Sequence, residues 1–389
     1  MRSSDDRFYL APVDHLRAVA AVLVVLYHGC QLLSARIEGR PRFVPATDWL
    51  YSANPAATLV FEGHTGVALF MVLSGFILTV GAHGRPVRYG RFLTNRLLRI
   101  YPLYLVVAVL GMATHVSLPG FPDLLRVLTF TTPSLPYGGV FWTLCVEMQF
   151  YLVFPLLHRL LTERGPGSLL RLLAAVSLLR ALVWLSSPAP GPHTAALYLS
   201  LAGRIDQFLL GMLAAWVYVH HRERLRAVRW AAPASVCPAL AALWAFNQLH
   251  GFVSDSPLKL VWSGTEGAVW ALVVVAYAAA GPSGTGGRFS RALARLGEVS
   301  FSVYLTHFLV LTLLCERAHL HDRVPGALPA VGAAFLVTVV VALPVTLAVS
   351  FVTYHAVELP FLRLRRPYLP APATADTPRP RQHEGHRGR

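Results

Sequence analysis

Near the end of its first long apolar run the chain carries an imidazole. In AAVLVVLYHGC, from Ala20 to Cys30, Tyr27 and above all His28 are foreign to a hydrocarbon environment. Histidine titrates near pH 6.5 when unperturbed, so at neutral pH it can remove the proton that makes an alcohol a poor nucleophile. A histidine that only hydrogen-bonds a neighbouring helix would look the same, and the residue alone leaves both readings open. Two further ionisable groups, Asp14 and Arg17, precede it in the same run. At about 100° per residue, Arg17 lies about 20° and Asp14 about 40° from His28 around a helix, with His28 about 16 Å above Arg17. The three share one stripe, which must face the interior of a bundle, because ionisable groups inside a span are costly unless they face protein or water.

Four more stretches hold groups able to do chemistry. FWTLCVEMQFYLVFPLL sets Glu147 and Gln149 in the middle of an aromatic-rich run, where the carboxylate either pairs with an arginine or belongs to a site. RPVRYGRFLTNRLLRIYPLYL carries Arg88, Arg91, Arg96 and Arg99. Arg96 and Arg99 are one helical turn apart at the end of a span. They are either charge anchors or a phosphate clamp, since guanidinium groups grip phosphate in a forked, bidentate way. VSFSVYLTHFLV buries Tyr304 and His307, and YHAVELPFLRLRR puts Glu358 at a span boundary. In LFMVLSGFIL the Ser74–Gly75 pair suits close helix packing.

The elements that must position these groups follow from composition. Of 389 residues, 55% are hydrophobic and 14% charged, against about 25% charged in a soluble domain. A transmembrane helix needs about 20 predominantly apolar residues. Ten runs qualify, at about 12–34, 57–81, 100–116, 141–161, 168–187, 195–220, 230–250, 260–281, 298–316 and 328–355. The expected fold is therefore an all-α polytopic membrane domain over residues 1–366, followed by a disordered tail over 367–389 rich in Pro, Arg and His. Within 195–220, Arg204 and Asp206 are expected to shield each other.

The net charge is +15 and Lys259 is the only lysine. No basic patch is interleaved with a nucleic-acid reading motif, so the charge is assigned to topology. With the N-terminus inside, 25 of the 34 Lys and Arg residues fall in inner segments and 7 in outer loops, which puts both termini in the cytoplasm. Arg2 and Arg7 before the first run suit an uncleaved first helix better than a signal peptide, because Arg17 would interrupt the apolar region. The four cysteines have neither metal nor disulfide spacing, and no metal is expected.

Six stretches in this order, VDHLRAVAAVLVVLYHG, LFMVLSGFIL, RFLTNRLLRIYPLY, FWTLCVEMQFYLVFPL, SFSVYLTHFLV and YHAVELPF, resemble the acyltransferase-3 family of integral membrane O-acyltransferases, over residues 10 to 365. The chain departs from the family pattern in carrying His15 and Ala18 around Arg17, and Met148 after Glu147. The resemblance implies transfer of an acyl group, commonly acetyl, from acyl-coenzyme A to a hydroxyl. It implies a stand-alone enzyme of the cell membrane, similar to those that acylate macrolides and other secondary metabolites or envelope glycans. On that reading His28 is the base and Glu147 orients it or offsets its charge. Arg17 stabilises the thioester oxygen or holds a phosphate, and Arg88, Arg91, Arg96 and Arg99 face the coenzyme A phosphates. Asp14, Ser74, Tyr304, His307 and Glu358 are further candidates. A transporter or flippase is the rival class, since polar groups at mid-membrane suit a substrate pathway equally well. No inverted repeat supports that rival. A structural or sensory membrane protein is the other alternative.

Overall fold

The structure, a computed structural model, describes residues 10–114, 128–130, 139–186, 198–228, 230–281, 287–324 and 328–370. Among these there is no strand. Most of the expected tail, and Arg2, Arg7 and Arg126, lie outside the described residues. Twelve helices carry the account: α1 (Ala11–Ile37), α2 (Pro55–Phe61), α3 (Thr65–Ala82), α4 (Tyr89–Thr114), α5 (Phe141–Arg164), α6 (Pro166–Ser186), α7 (Leu201–Ala227), α8 (Val236–Gln248), α9 (Leu258–Ala280), α10 (Arg288–Glu298), α11 (Ser300–Glu316) and α12 (Ala330–Leu362).

Among the described residues seven helices are long and apolar enough to cross a membrane, or eight if the α10–α11 pair, bent by 67°, is one span. The remaining expected spans depart from a plain apolar helix for visible reasons. Helix α7 has 27 residues but carries buried charges. Helix α8 has 13 residues, about 20 Å of rise against a hydrocarbon core of about 30 Å. The run expected as one span at 57–81 breaks between α2 and α3, where Glu62 turns inward and takes Trp49 Nε1, Asn247 Nδ2 and His64 Nε2 as partners at 3.0, 2.7 and 2.8 Å. The third span begins well before residue 100, at Tyr89, so Arg96 and Arg99 are helical rather than preceding the helix.

Helix α1 is the axis of the bundle. Its Ala18, Ala20, Ala21, Val24, Val25 and Cys30 are completely buried, against α3, α10, α11 and α12. Pro12 in its first turn has the φ a helix start requires, and Asp14 there meets the positive end of the helix dipole. His15, the departure from the family pattern, ties α1 to two neighbours: Nδ1 accepts from the Tyr277 hydroxyl at 2.8 Å and Nε2 donates to Ser290 O at 2.9 Å. By contrast α6 and α12 turn Leu178, Leu185, Val340 and Phe351 outward, the surface a lipid-facing helix needs.

Two local devices set the geometry near the candidate residues. Helices α3 and α7 touch backbone to backbone: a Cβ on Gly75 would stand 2.2 Å from Phe208 O, and one on Gly211 2.1 Å from Val72 O. Only glycine permits that approach, as expected for Gly75. Helix α12 contains two π-helical turns, Thr338–Ala342 and Tyr354–Glu358. Each precedes a proline, Pro344 and Pro360. The wider turn relieves the clash between the proline ring and the carbonyl four residues back. The second turn leaves Glu358 buried at the end of the span.

Candidate active site

A cavity opens among α1, α3, α4, α5, α7 and α11 and encloses about 740 Å³ of empty space, its mouth included. Five of the six sequence stretches contribute to its wall. Arg17 comes from α1, Ser74 from α3, Arg96 and Arg99 from α4, Glu147 from α5 and Tyr304 from α11. Six of the candidate residues thus line the same cavity, and a seventh, Glu358, stands 3.9 Å from Arg99 in its wall.

The charges are arranged from one end to the other. At the inner end Arg99 faces Glu358, whose other oxygen accepts from the Ser302 hydroxyl. Arg96 sits in an aromatic clasp, with its guanidinium carbon 5.3 Å from the Phe92 ring centre and 5.6 Å from that of Tyr151. Arg17 pairs with Asp14 at 3.4 Å, one turn back on the same helix, as the shared stripe predicts. Deeper in, one oxygen of Glu147 accepts from Ser74 Oγ at 3.0 Å and from the Tyr151 hydroxyl. At the far wall, the Tyr304 hydroxyl and Thr143 Oγ1 are 2.9 Å apart.

One helical turn beyond Tyr304 along α11 stands His307, and it meets His28. Nδ1 of His28 lies 3.1 Å from Nε2 of His307, and Nδ1 of His307 lies 2.5 Å from the carbonyl oxygen of Tyr304. A carbonyl only accepts, so His307 Nδ1 carries the hydrogen. In a neutral ring its Nε2 is then an acceptor, and His28 Nδ1 must be the donor. The chain of bonds fixes the tautomer of His28 and leaves Nε2 with its lone pair, the state a proton acceptor needs. Sequence reasoning named both histidines but not their pairing, because residues 279 positions apart carry no local signal.

The roles expected of other residues are corrected by geometry. Glu147 is bonded to Ser74 and Tyr151, so it is His307, not Glu147, that orients His28. Arg88 and Arg91 are exposed and do not line the cavity. Arg204 and Asp206 do not shield each other. Arg204 reaches Glu266 on α9 at 3.3 Å, and Asp206 takes Arg180 on α6 at 2.6 Å. The sequence reading missed Glu62, His64 and Glu266, although each is an ionisable group within or beside an apolar run, the signal that singled out the others.

The acyltransferase-3 family model, described as an acyltransferase domain, matches residues 11–355. Among curated relatives, the acyltransferase MdmB of Streptomyces mycarofaciens is 28% identical over 362 residues, covering 82% of this chain and 87% of MdmB. The peptidoglycan O-acetyltransferase OatA of Listeria monocytogenes is 24% identical over 340 residues, covering 79% of this chain and half, 50%, of OatA. Nodulation protein 10 of Rhizobium leguminosarum bv. viciae is 32% identical over 166 residues, 35% of this chain and 42% of that protein. No solved structure matches. The family match spans the whole helical bundle together with the cavity and the histidine pair that it encloses, and the chain belongs to the acyltransferase-3 family of membrane-embedded acyltransferases.

Proposed function

We propose that the protein transfers a short acyl group from acyl-coenzyme A to a hydroxyl of a small glycosylated or polyketide acceptor, with His28 Nε2 as the base. The observation that carries this reading is the relay from the Tyr304 carbonyl through His307 to His28, which leaves one imidazole nitrogen ready to accept a proton; the two histidines do not line the cavity, and Tyr304, one helical turn from His307, is the wall residue that joins them to it. Nε2 takes the hydroxyl proton as the alkoxide oxygen bonds to the thioester carbon. The carbon–sulfur bond then breaks, and the imidazolium returns the proton to the leaving thiolate. Such a base contributes about 10²–10⁴-fold. Arg17, turned onto Asp14 and about 16 Å from His28 along α1, serves the donor's phosphate end of the cavity with Arg96 and Arg99 and not the reacting carbon. Arg96 and Arg99 hold the donor's phosphates at the inner mouth.

Similarity to the acyltransferase MdmB over most of both chains supports acyl transfer itself. Similarity to OatA over half of that protein favours an envelope polysaccharide as the second reading. The loop charges support a cell membrane orientation with both termini cytoplasmic, with residues 1–366 as one membrane domain and 367–389 as a tail.

Membranes containing the protein are incubated with labelled acetyl- or propionyl-coenzyme A and extracts of host metabolites. Label is expected in a product ester, and mass spectrometry of that product identifies the acceptor. Coenzyme A release no faster than from membranes lacking the protein, with no labelled ester, contradicts the enzyme reading and returns the transporter.

A further inference from the structure

The chain after α12 does not leave the bundle. Residues 363–370 run back along α4 as a strap. Asn95, buried on α4, fastens it twice, donating from Nδ2 to Arg366 O at 2.7 Å and accepting from Arg366 N at 3.1 Å. The backbone N–H of Arg88 donates to Tyr368 O at 3.0 Å. The Tyr368 ring packs edge-on against Phe92 with centroids 5.4 Å apart, and the Arg96 guanidinium stands 5.9 Å from its centre. This places Arg365 beside the inner mouth of the cavity.

We propose that Arg365 is the third guanidinium of the donor-phosphate site, completing it with Arg96 and Arg99; this rests on the reading of the donor as a phosphate-bearing coenzyme A thioester. Three observations carry it. Nε and Nη2 of Arg365, and Nε of Arg96, are buried and donate to nothing among the described residues. Burial, together with the charges of Arg99 and Arg96, pulls the Arg365 pKa down to about 9, so like charges converge where a structural arginine would have found a carboxylate. Among the described residues the carboxylate that faces the group is Glu358, whose Oε1 takes the Ser302 hydroxyl and whose Oε2 stands 3.9 Å from Arg99 without a hydrogen bond to any arginine. Three forked cations, two of them with unpartnered N–H groups, fit a diphosphate better than any side chain present. The neighbouring Arg363 and Arg366 are exposed and serve as ordinary charge anchors. The phosphate chemistry is shared by a soluble nucleotide and by an anionic lipid headgroup, and the proposal commits to the former.

The test is calorimetric binding of coenzyme A, and separately of inorganic pyrophosphate, to the full chain in phosphatidylcholine nanodiscs. Arg365→Gln is expected to weaken coenzyme A binding by about tenfold to a hundredfold, the range for one charged hydrogen-bonding group. Arg365→Lys, which keeps charge but loses the fork, should fall between, and Arg363→Gln should match the wild type. The thermal midpoint of each variant without ligand separates lost binding from lost folding. Binding unchanged in a folded Arg365→Gln or in Arg365→Lys overturns the proposal alone while Arg99→Lys still weakens binding. Absence of coenzyme A binding in the wild type overturns the donor reading and this inference with it. Coenzyme A binding that is lost when phosphatidylglycerol replaces phosphatidylcholine assigns the site to a lipid headgroup and likewise overturns it.

Discussion

Two sets of arginines within the bundle, one buried and one half-buried, differ in what they touch. On α6 and α7, Arg180 and Arg204 each have a carboxylate from another helix in direct contact, Asp206 at 2.6 Å and Glu266 at 3.3 Å. Their surroundings add neutral partners: Ser263 Oγ donates to Asp206 at 2.7 Å, Gln207 Nε2 to Glu266 at 3.0 Å, and the Arg204 guanidinium lies 3.9 Å over the Tyr198 ring. At the inner mouth of the cavity Arg96 is held by aromatic faces and Arg99 shares Glu358 at 3.9 Å. The first set is closed by carboxylates of other helices and clamps those helices together, although Arg180 Nη2 and Glu266 Oε1 keep no hydrogen-bond partner among the described residues. The second is held in place by groups that leave its charge available. An arginine within the bundle is therefore read by the carboxylates that meet it as well as by its burial.

Breaking the closed set should have the largest effect, and it should fall on stability. Asp206→Ala leaves the Arg180 guanidinium buried without its carboxylate, a loss worth about 3–5 kcal/mol. Thermal unfolding in detergent should show it as a sharp drop in midpoint and in yield. Combining Asp206→Leu with Arg180→Met should recover much of that loss, because both charges are then gone. If Asp206→Ala folds normally but loses transfer, the closed set belongs to the chemistry and the comparison fails.

Disturbing the open set should spare stability and change donor kinetics. Arg99→Lys keeps the charge and loses the two-pronged bond, so the donor KM should rise about tenfold to a hundredfold, the worth of one charge-assisted bond. An unchanged donor KM in the folded variant makes Arg99 a partner of Glu358 and nothing more. A smaller effect is expected at the far wall. Tyr304→Phe removes the hydroxyl that meets Thr143 but keeps the carbonyl that holds His307. Transfer should fall about twofold to tenfold, as for one neutral hydrogen bond. A loss as deep as that from removing His28 would bring the phenol itself into proton transfer.

The same contrast explains what could be read from sequence. The stripe of Asp14, Arg17 and His28 was legible because helical periodicity is local, and α1 orders them as expected, with Arg17 on Asp14. Arg96, Arg99, Glu147 and Ser74 were legible as polar groups in apolar runs, and all four line one cavity. What failed was partnership. Arg204 and Asp206 are adjacent in sequence, yet residues two apart point to opposite sides of a helix, so each found a partner on another element. The resemblance implies that Glu147 orients His28 or offsets its charge, whereas the partner that sets the His28 tautomer is His307, on α11. Span boundaries failed where a polar cluster interrupts the run, as Glu62 does between α2 and α3. Composition assigns the last part of the strap, 367–370, to the tail, while Asn95 and Phe92 hold the strap through contacts that composition cannot express.

The central claim is that His28 Nε2 takes the proton of the acceptor hydroxyl. It is tested most directly by comparing His28→Ala and His28→Gln for labelled acyl transfer, with coenzyme A binding measured on the same preparations. Both variants should bind donor as the wild type does and transfer about 10²–10⁴-fold more slowly, because glutamine can replace the hydrogen bond to His307 but cannot accept a proton at neutral pH. Near-normal transfer by His28→Gln would contradict the account and make the imidazole of α1 a packing partner of His307.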